Sequence, residues 1–330
     1  MASNRPPPKP LEEAQMGGAF PFSGVTVKPS LSWSELVTLM IKRGLVVGDQ
    51  EACARFLAAT NYYRFSGYAR YFQVAPHFDD NRFVEGTTFS KIRALYEADE
   101  GVRMALFASL SRIELMLRSH VAHVIALEYG AYHRYLEADF YTDLPGHETT
   151  VEHCRRDIDR SKDRHILHYR GEGSDGADFS ELPVWSAVEA WSFGTLSRVI
   201  ERGGRGALSD AVAVSIGAAK AGFAYRVRAL VYLRNRCAHH GRLWNHFVID
   251  AGPTPNNVRS RAKRTFGQFE PRSVIDVVAS LDDLAARGNV GGGLLSELFK
   301  EYGQVPDLWA GLAKPQAPRD HESGAKWSSL

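Results

Sequence analysis

The chain has 330 residues, enough for one large or two ordinary domains. Its 44% hydrophobic and 24% charged content fits a folded globular chain and argues against a disordered or fibrous one. With 40 Lys and Arg against 38 Asp and Glu the formal charge is +2, so any nucleic-acid site must be a local basic patch.

Residues 1–29 are rich in proline, with adjacent Gly17 and Gly18, and read as a flexible arm without a signal peptide. Ser32 with Glu35 predicts a helix start, followed by Leu36, Met40 and Leu45 at helical spacing. Asp49 or Glu51 opens a second helix that leads into Asn61–Tyr68. Residues 78–89 suit a short extended piece, and no sheet is expected. From Thr88 to about Tyr129, the residues Leu106, Leu110, Ile113, Leu117, Val121 and Val124 recur every three or four positions and predict one long helix, with Gly101 as its weak point. A charged helix is expected over 151–168 and a glycine-rich loop over 169–182. Further helices are expected over Trp185–Ile200, Leu208–Ile216, Phe223–His239, Ser273–Ala286 and Leu294–Tyr302. Residues 30–312 read as a single domain with a helical appendix from about 265, and 313–330 as a flexible tail. The class is all-α. No apolar run of membrane-spanning length occurs. Cys53, Cys154 and Cys237 form no paired framework and suit a reducing cytoplasm.

The densest chemistry lies in Leu233–Asn245. Arginine can grip a phosphate through two parallel hydrogen bonds, and histidine can move a proton near neutral pH. With Leu230 at the centre of the buried face, Phe223, Val227, Leu233 and Cys237 fall within about 60° of it by the helical rotation. Arg234 lies on the flank of that stripe, Asn235 at about 140° and His239 at about 180°. Asn235 and His239, four apart, are surface neighbours. Arg234 and His239 diverge by about 140°, so a site using both needs a distorted helix end or a second copy in a two-fold dimer. Arg226, Arg228, Arg234, Arg236 and Arg242 crowd into one short region, either a local basic patch or a solvated helix face.

Around this core several residues have two readings. Gly241 is expected to end the helix. His240 is either a substrate group or a plain surface residue. Arg242 could touch phosphate, and Trp244 could stack a base or close the core, with Asn245 beside it. Tyr62, Tyr63, Arg64 and Tyr68 suit either RNA stacking or packing. Glu114 and Arg118 are an i,i+4 pair of the kind usually found on a surface. Cys237, His239, His240 and His246 lack metal-ligand spacing, as do His165 and His168, so neither a metal nor another cofactor is expected.

Four blocks in order give the chain a resemblance. Asn61–Tyr68, Ile113–Ser119, Pro183–Trp185 with Ser192–Ser197, and Cys237–Asn245 together resemble the Abi-like proteins (the AbiD and AbiF group of abortive-infection proteins), a branch of the HEPN superfamily. Arg234–His239 matches that superfamily's Arg-x(4–6)-His motif. The resemblance covers about residues 33–250. It implies a HEPN-like helical bundle with additional helices, and a metal-independent endoribonuclease in phage defence or a toxin–antitoxin pair. Arg234, Asn235 and His239 would be catalytic, with Glu114 holding Arg234 across the bundle and Arg118 and His240 in support. Arg64, Tyr62, Tyr63, Arg236, Arg242, Trp244 and Asn245 would contact RNA. The partners implied are RNA, an antitoxin and a second copy of the chain, with no membrane. Two other readings stand beside it: a non-catalytic RNA-binding protein holding a small structured RNA, and a module that binds a toxin.

Overall fold

The structure, a computed structural model, describes residues 30–76, 80–173, 176–249 and 251–320. The arm expected over 1–29 and the last ten residues of the expected tail lie outside the described residues.

Helices dominate, as expected, and the described residues contain fourteen. The Ser32–Glu35 capping box starts α1 (Trp33–Lys42). Asp49, whose carboxylate accepts from the Ala52 N–H, starts α2 (Gln50–Thr60). Asn61 takes a left-handed φ of 69° and turns the chain into α3 (Tyr62–Ala69), its side-chain oxygen accepting from the Tyr63 N–H. A short antiparallel pair follows, β1 (Gln73–Ala75) with β2 (Asp80–Phe83). The expected extended piece thus has a partner strand that the alternation did not reveal.

The central α4 (Phe89–Glu128) runs 40 residues without a break, about 60 Å at the usual rise. Gly101 does not interrupt it. A Cβ there would collide with the Tyr302 hydroxyl, so the glycine serves a close helix–helix approach instead. The charged segment is two helices, α5 (Thr150–Arg160) and α6 (Arg164–Leu167). The glycine-rich stretch holds a small antiparallel pair, β3 (Gly171–Gly173) with β4 (Gly176–Asp178). The helix expected over Trp185–Ile200 breaks at Trp191–Ser192 into α7 (Val184–Ala190) and α8 (Phe193–Arg202), because the Ser192 hydroxyl caps a new helix through the Thr195 N–H.

Then come α9 (Leu208–Ile216) and α10 (Phe223–Ala238), followed by α11 (Asn256–Phe266), α12 (Val274–Arg287), α13 (Leu294–Tyr302) and α14 (Pro306–Ala313). Helices α7, α9, α10 and α12 to α14 all pack on α4, which therefore buries side chains on several faces. Helix α10 is wedged among α4, α8, α9 and α12. The α12 contact is fixed by Arg226, whose buried guanidinium donates to Asp283 and Ser280. Arg226 thus leaves the expected basic patch and anchors the appendix. No helix among the described residues is long and apolar enough to cross a membrane.

Candidate functional site

Helix α10 carries the site. Phe223, Val227, Leu230, Leu233 and Cys237 are buried, while Asn235 and His239 are exposed on the outward side. Burial pushes the Cys237 thiol up to about 12, so it is packing rather than a nucleophile. The helix ends in a Schellman arrangement: the His240 N–H donates to the Cys237 carbonyl and the Gly241 N–H to the Arg236 carbonyl at 2.7 Å. The left-handed position belongs to His240, with φ 53°, and not to the glycine after it. A side chain with a Cβ there carries a strain that glycine would avoid.

Arg234 reaches α4. Its Nε donates to Glu114 Oε2 at 3.2 Å and its Nη2 to the same oxygen at 3.1 Å. Glu114 also accepts from Arg118 Nη2 at 2.7 Å, and Arg118 donates to the Val188 and Trp191 carbonyls at the end of α7. The Glu114–Arg118 pair is therefore buried between helices, not on the surface as i,i+4 pairs usually are. Arg234 Nη1 donates to Asn235 Oδ1 at 3.2 Å, and the guanidinium lies 5.9 Å from the Phe193 ring centre. The Arg234 side chain is 29% exposed, so one edge of a fixed guanidinium faces solvent. The His239 ring is exposed and makes no hydrogen bond or ion pair among the described residues. Asn235 and His239 share one face, and Arg234 sits beside Asn235. Two guanidiniums share the one Glu114 carboxylate, so this trio carries a net positive charge.

The loop after α10 meets α3, which brings the first and fourth sequence blocks together. The Arg64 guanidinium donates to the His240 carbonyl, Arg242 donates to the Gly67 carbonyl and to the Tyr71 hydroxyl, and Arg236 donates to the Arg242 carbonyl at 3.2 Å. These arginines, expected to meet RNA, bond the loop; Arg64 stays exposed, whereas Arg236 and Arg242 are half-buried. Trp244 is 5% exposed, packs among Tyr68, Tyr71 and Phe72, and donates its indole N–H to the Asp307 carbonyl. Its ring fills the core and is not available to stack a base. Asn245 is likewise structural: at φ 51° its side-chain oxygen accepts from the Gln316 N–H, so part of the expected tail is tied down. Tyr62 accepts from Arg43 at 3.4 Å, whereas the Tyr63 ring, 85% exposed, stays in solvent.

Asp99 is the hub that sequence reasoning missed. Fully buried on α4, it accepts from Tyr68 Oη, Arg103, the Leu243 N–H at 3.2 Å and the Trp244 N–H at 2.9 Å. Burial and the Asp99 carboxylate push the Tyr68 phenol up, which keeps it a donor. An acid and a base four apart inside an apolar stripe, Asp99 and Arg103, were the available signal. Among the described residues no group of three or more His, Cys, Asp or Glu is placed to hold a metal.

Comparison with known proteins gives one family. The family model described as Abi-like protein matches residues 55–245, from α2 through the loop after α10, and so contains Glu114, the α3 block and the whole of Arg234–Asn245. No curated protein and no solved structure matches the chain. With more than half of its length matched, this chain belongs to the Abi-like protein family.

Proposed function

We propose that the protein is a HEPN-type, metal-independent endoribonuclease. Membership of the Abi-like family suggests abortive infection, a form of phage defence. One observation carries the enzymatic reading: an exposed imidazole, His239, stands one helical turn from Asn235, and Asn235 is hydrogen-bonded to a guanidinium that Glu114 holds in place.

The chemistry follows from those groups. A ribose 2′-oxygen attacks the adjacent phosphorus, forming O2′–P and breaking P–O5′, with a 2′,3′-cyclic phosphate and a 5′-hydroxyl as products. The 2′-hydroxyl loses a proton and the leaving 5′-oxygen gains one. His239 carries one of those transfers. The outer edge of Arg234 opposes the charge that builds on the phosphoryl oxygens. Asn235 keeps the guanidinium and the phosphate in register. DNA lacks the attacking hydroxyl and would not be cut.

Two transfers with His239 carrying only one of them favour a two-fold dimer with both motifs lining one cleft. Helix α4 offers a face for it: Met104 and Leu115, 71% and 61% exposed, are eleven residues and so about three turns apart, with the exposed Phe107 between them. Glu114, which holds Arg234, neighbours that face. Purified protein incubated with RNA and EDTA, with the product ends identified, tests the reading. Cleavage by the parent chain and none by a folded His239→Ala chain supports it. Cleavage that requires added metal, or that survives His239→Ala, removes it.

A further inference from the structure

Helices α8 and α10 lie side by side and leave a groove of 290 Å³ between them. Each helix contributes residues at the same one-face spacing: Gly194, Ser197, Arg198 and Glu201 from α8, and Arg228, Val231, Tyr232 and Asn235 from α10. Arg202 also lines it. Three guanidiniums and one carboxylate line it; two of the guanidiniums are ion-paired, and Arg198 carries the net positive charge. Arg202 is held by Asp143 at 2.6 Å, and Arg228 Nη1 lies 3.4 Å from Glu201. Arg198 makes no hydrogen bond or ion pair among the described residues, although its charge helps hold the Glu148 carboxyl below its usual range.

Two details point to a ligand rather than to packing. The Ser197 hydroxyl, on a residue only 4% exposed, has no hydrogen-bond partner among the described residues, a cost that a bound acceptor would relieve. A Cβ on Gly194 would meet nothing nearer than the Ser192 Oγ at 3.7 Å, so no helix packs into that space. The volume suits about one nucleotide unit and excludes a duplex.

Asn235 joins this groove to the candidate site, since it lines the groove and accepts from Arg234. Arg228 stands two turns before it, about 10 Å along the helix. We infer that the groove seats the backbone phosphate next to the scissile one in single-stranded RNA, with Arg198 and Arg228 as its cations and the Ser197 hydroxyl donating to a phosphate oxygen. The inference rests on the RNA-cleaving reading only for the ligand's identity. The sequence reading did not reach Arg198 and placed Ser197 only within a family block, because their chemistry appears only when α8 is placed beside α10.

The test uses a short single-stranded RNA with 2′-O-methyl riboses, which cannot be cut, and measures its affinity for the full chain at several salt concentrations. Arg198→Ala should weaken binding by about three- to tenfold and lower the slope of log affinity against log salt by roughly 0.7, the value for one phosphate contact on a single strand. Gly194→Glu, which places a carboxylate on the groove floor near the start of α8, should fold and bind still more weakly. Parental affinity and slope in both variants, or no binding by the parent at low salt, overturns the groove. The two ideas fail separately. If unmodified RNA stays intact while Arg198→Ala still weakens binding, the cleavage reading falls and the groove stands. If RNA is cut normally and Arg198→Ala binds like the parent, the groove alone falls.

Discussion

Arg234 of α10 meets Glu114 of α4 through two of its nitrogens, with Nε and Nη2 both within 3.2 Å of Oε2. The same carboxylate binds Arg118, which ties α4 to the end of α7. One acidic side chain therefore fixes the direction of the candidate catalytic guanidinium and joins three helices. Glu114→Ala leaves the buried Arg118 and the half-buried Arg234 facing each other and should cost about 3 kcal/mol or more. Glu114→Gln keeps the shape and one acceptor oxygen and should cost about 1–3 kcal/mol. Cleavage should fall further in both variants than stability loss accounts for, mainly in kcat, because the guanidinium loses its aim. Arg234→Lys should not restore it, since an ammonium lacks the planar fork. Urea denaturation beside single-turnover kinetics checks this, and a Glu114→Gln chain with parental kcat would refute the positioning role.

His240 separates backbone from side-chain effects. It occupies the left-handed position of the helix end at φ 53°. His240→Gly removes the Cβ strain and should raise stability by about 0.5–1 kcal/mol, whereas His240→Ala, which keeps the Cβ, should not. If the imidazole contributes to RNA cleavage, the two variants lose activity equally despite their different stabilities. Thermal melts of both chains decide the backbone part, and a His240→Gly melt below the parent's would contradict the geometry.

His246 supplies a pH dependence. Its ring stacks on Tyr232, and its Nε2 lies 2.6 Å from the Tyr232 hydroxyl. Burial first, then the charges of Arg236 and Arg242, push its pKa down to about 4. In the unfolded chain the ring titrates near 6.5. Between those values the unfolded chain takes up a proton that the folded chain refuses, so folded stability falls as pH drops from 6.5 towards 4 and is unaffected by this group above 7. Allowing for the ring's partial exposure, the loss is about 2 kcal/mol. His246→Gln should shrink the pH 7 to pH 4 loss by that amount relative to the parent. Equal losses in the two chains, measured by denaturant titration at both pH values, would dismiss it.

The helical rotation centred on Leu230 separated the buried face of α10 from exposed Asn235 and His239, because that face packs on several neighbours and leaves a sharp apolar signal. Helices α11 and α14 went unread for the opposite reason. The first buries only Val258 and Ala262, and the second has eight residues begun by Pro306, so neither shows a clear stripe. The fates of the arginines were beyond local pattern. Arg226 is neutralised by Asp283, 57 positions away, and Arg64 and Arg242 spend their donors on carbonyls more than 170 positions away. A cation's partner lies in the tertiary contact, and spacing along one helix cannot reveal it.

Arg242 tests that distinction. Its guanidinium donates to the Gly67 carbonyl and the Tyr71 hydroxyl and lies 4.9 Å from the Tyr71 ring centre, so it binds α3 to the loop behind His239. Arg242→Ala removes charge-assisted hydrogen bonds and a ring contact and leaves a carbonyl unpaired, for a loss of about 2–4 kcal/mol. A residue that meets phosphate would behave otherwise: its loss would leave the fold intact and lower the salt slope of RNA binding by roughly 0.7. The structure predicts a large fall in the denaturation midpoint with an unchanged salt slope for Arg242→Ala, and the reverse for Arg198→Ala. An Arg242→Ala chain of parental stability and reduced slope would return this arginine to the RNA surface and leave the loop to be held by Arg64, Arg236 and the Asp99 carboxylate.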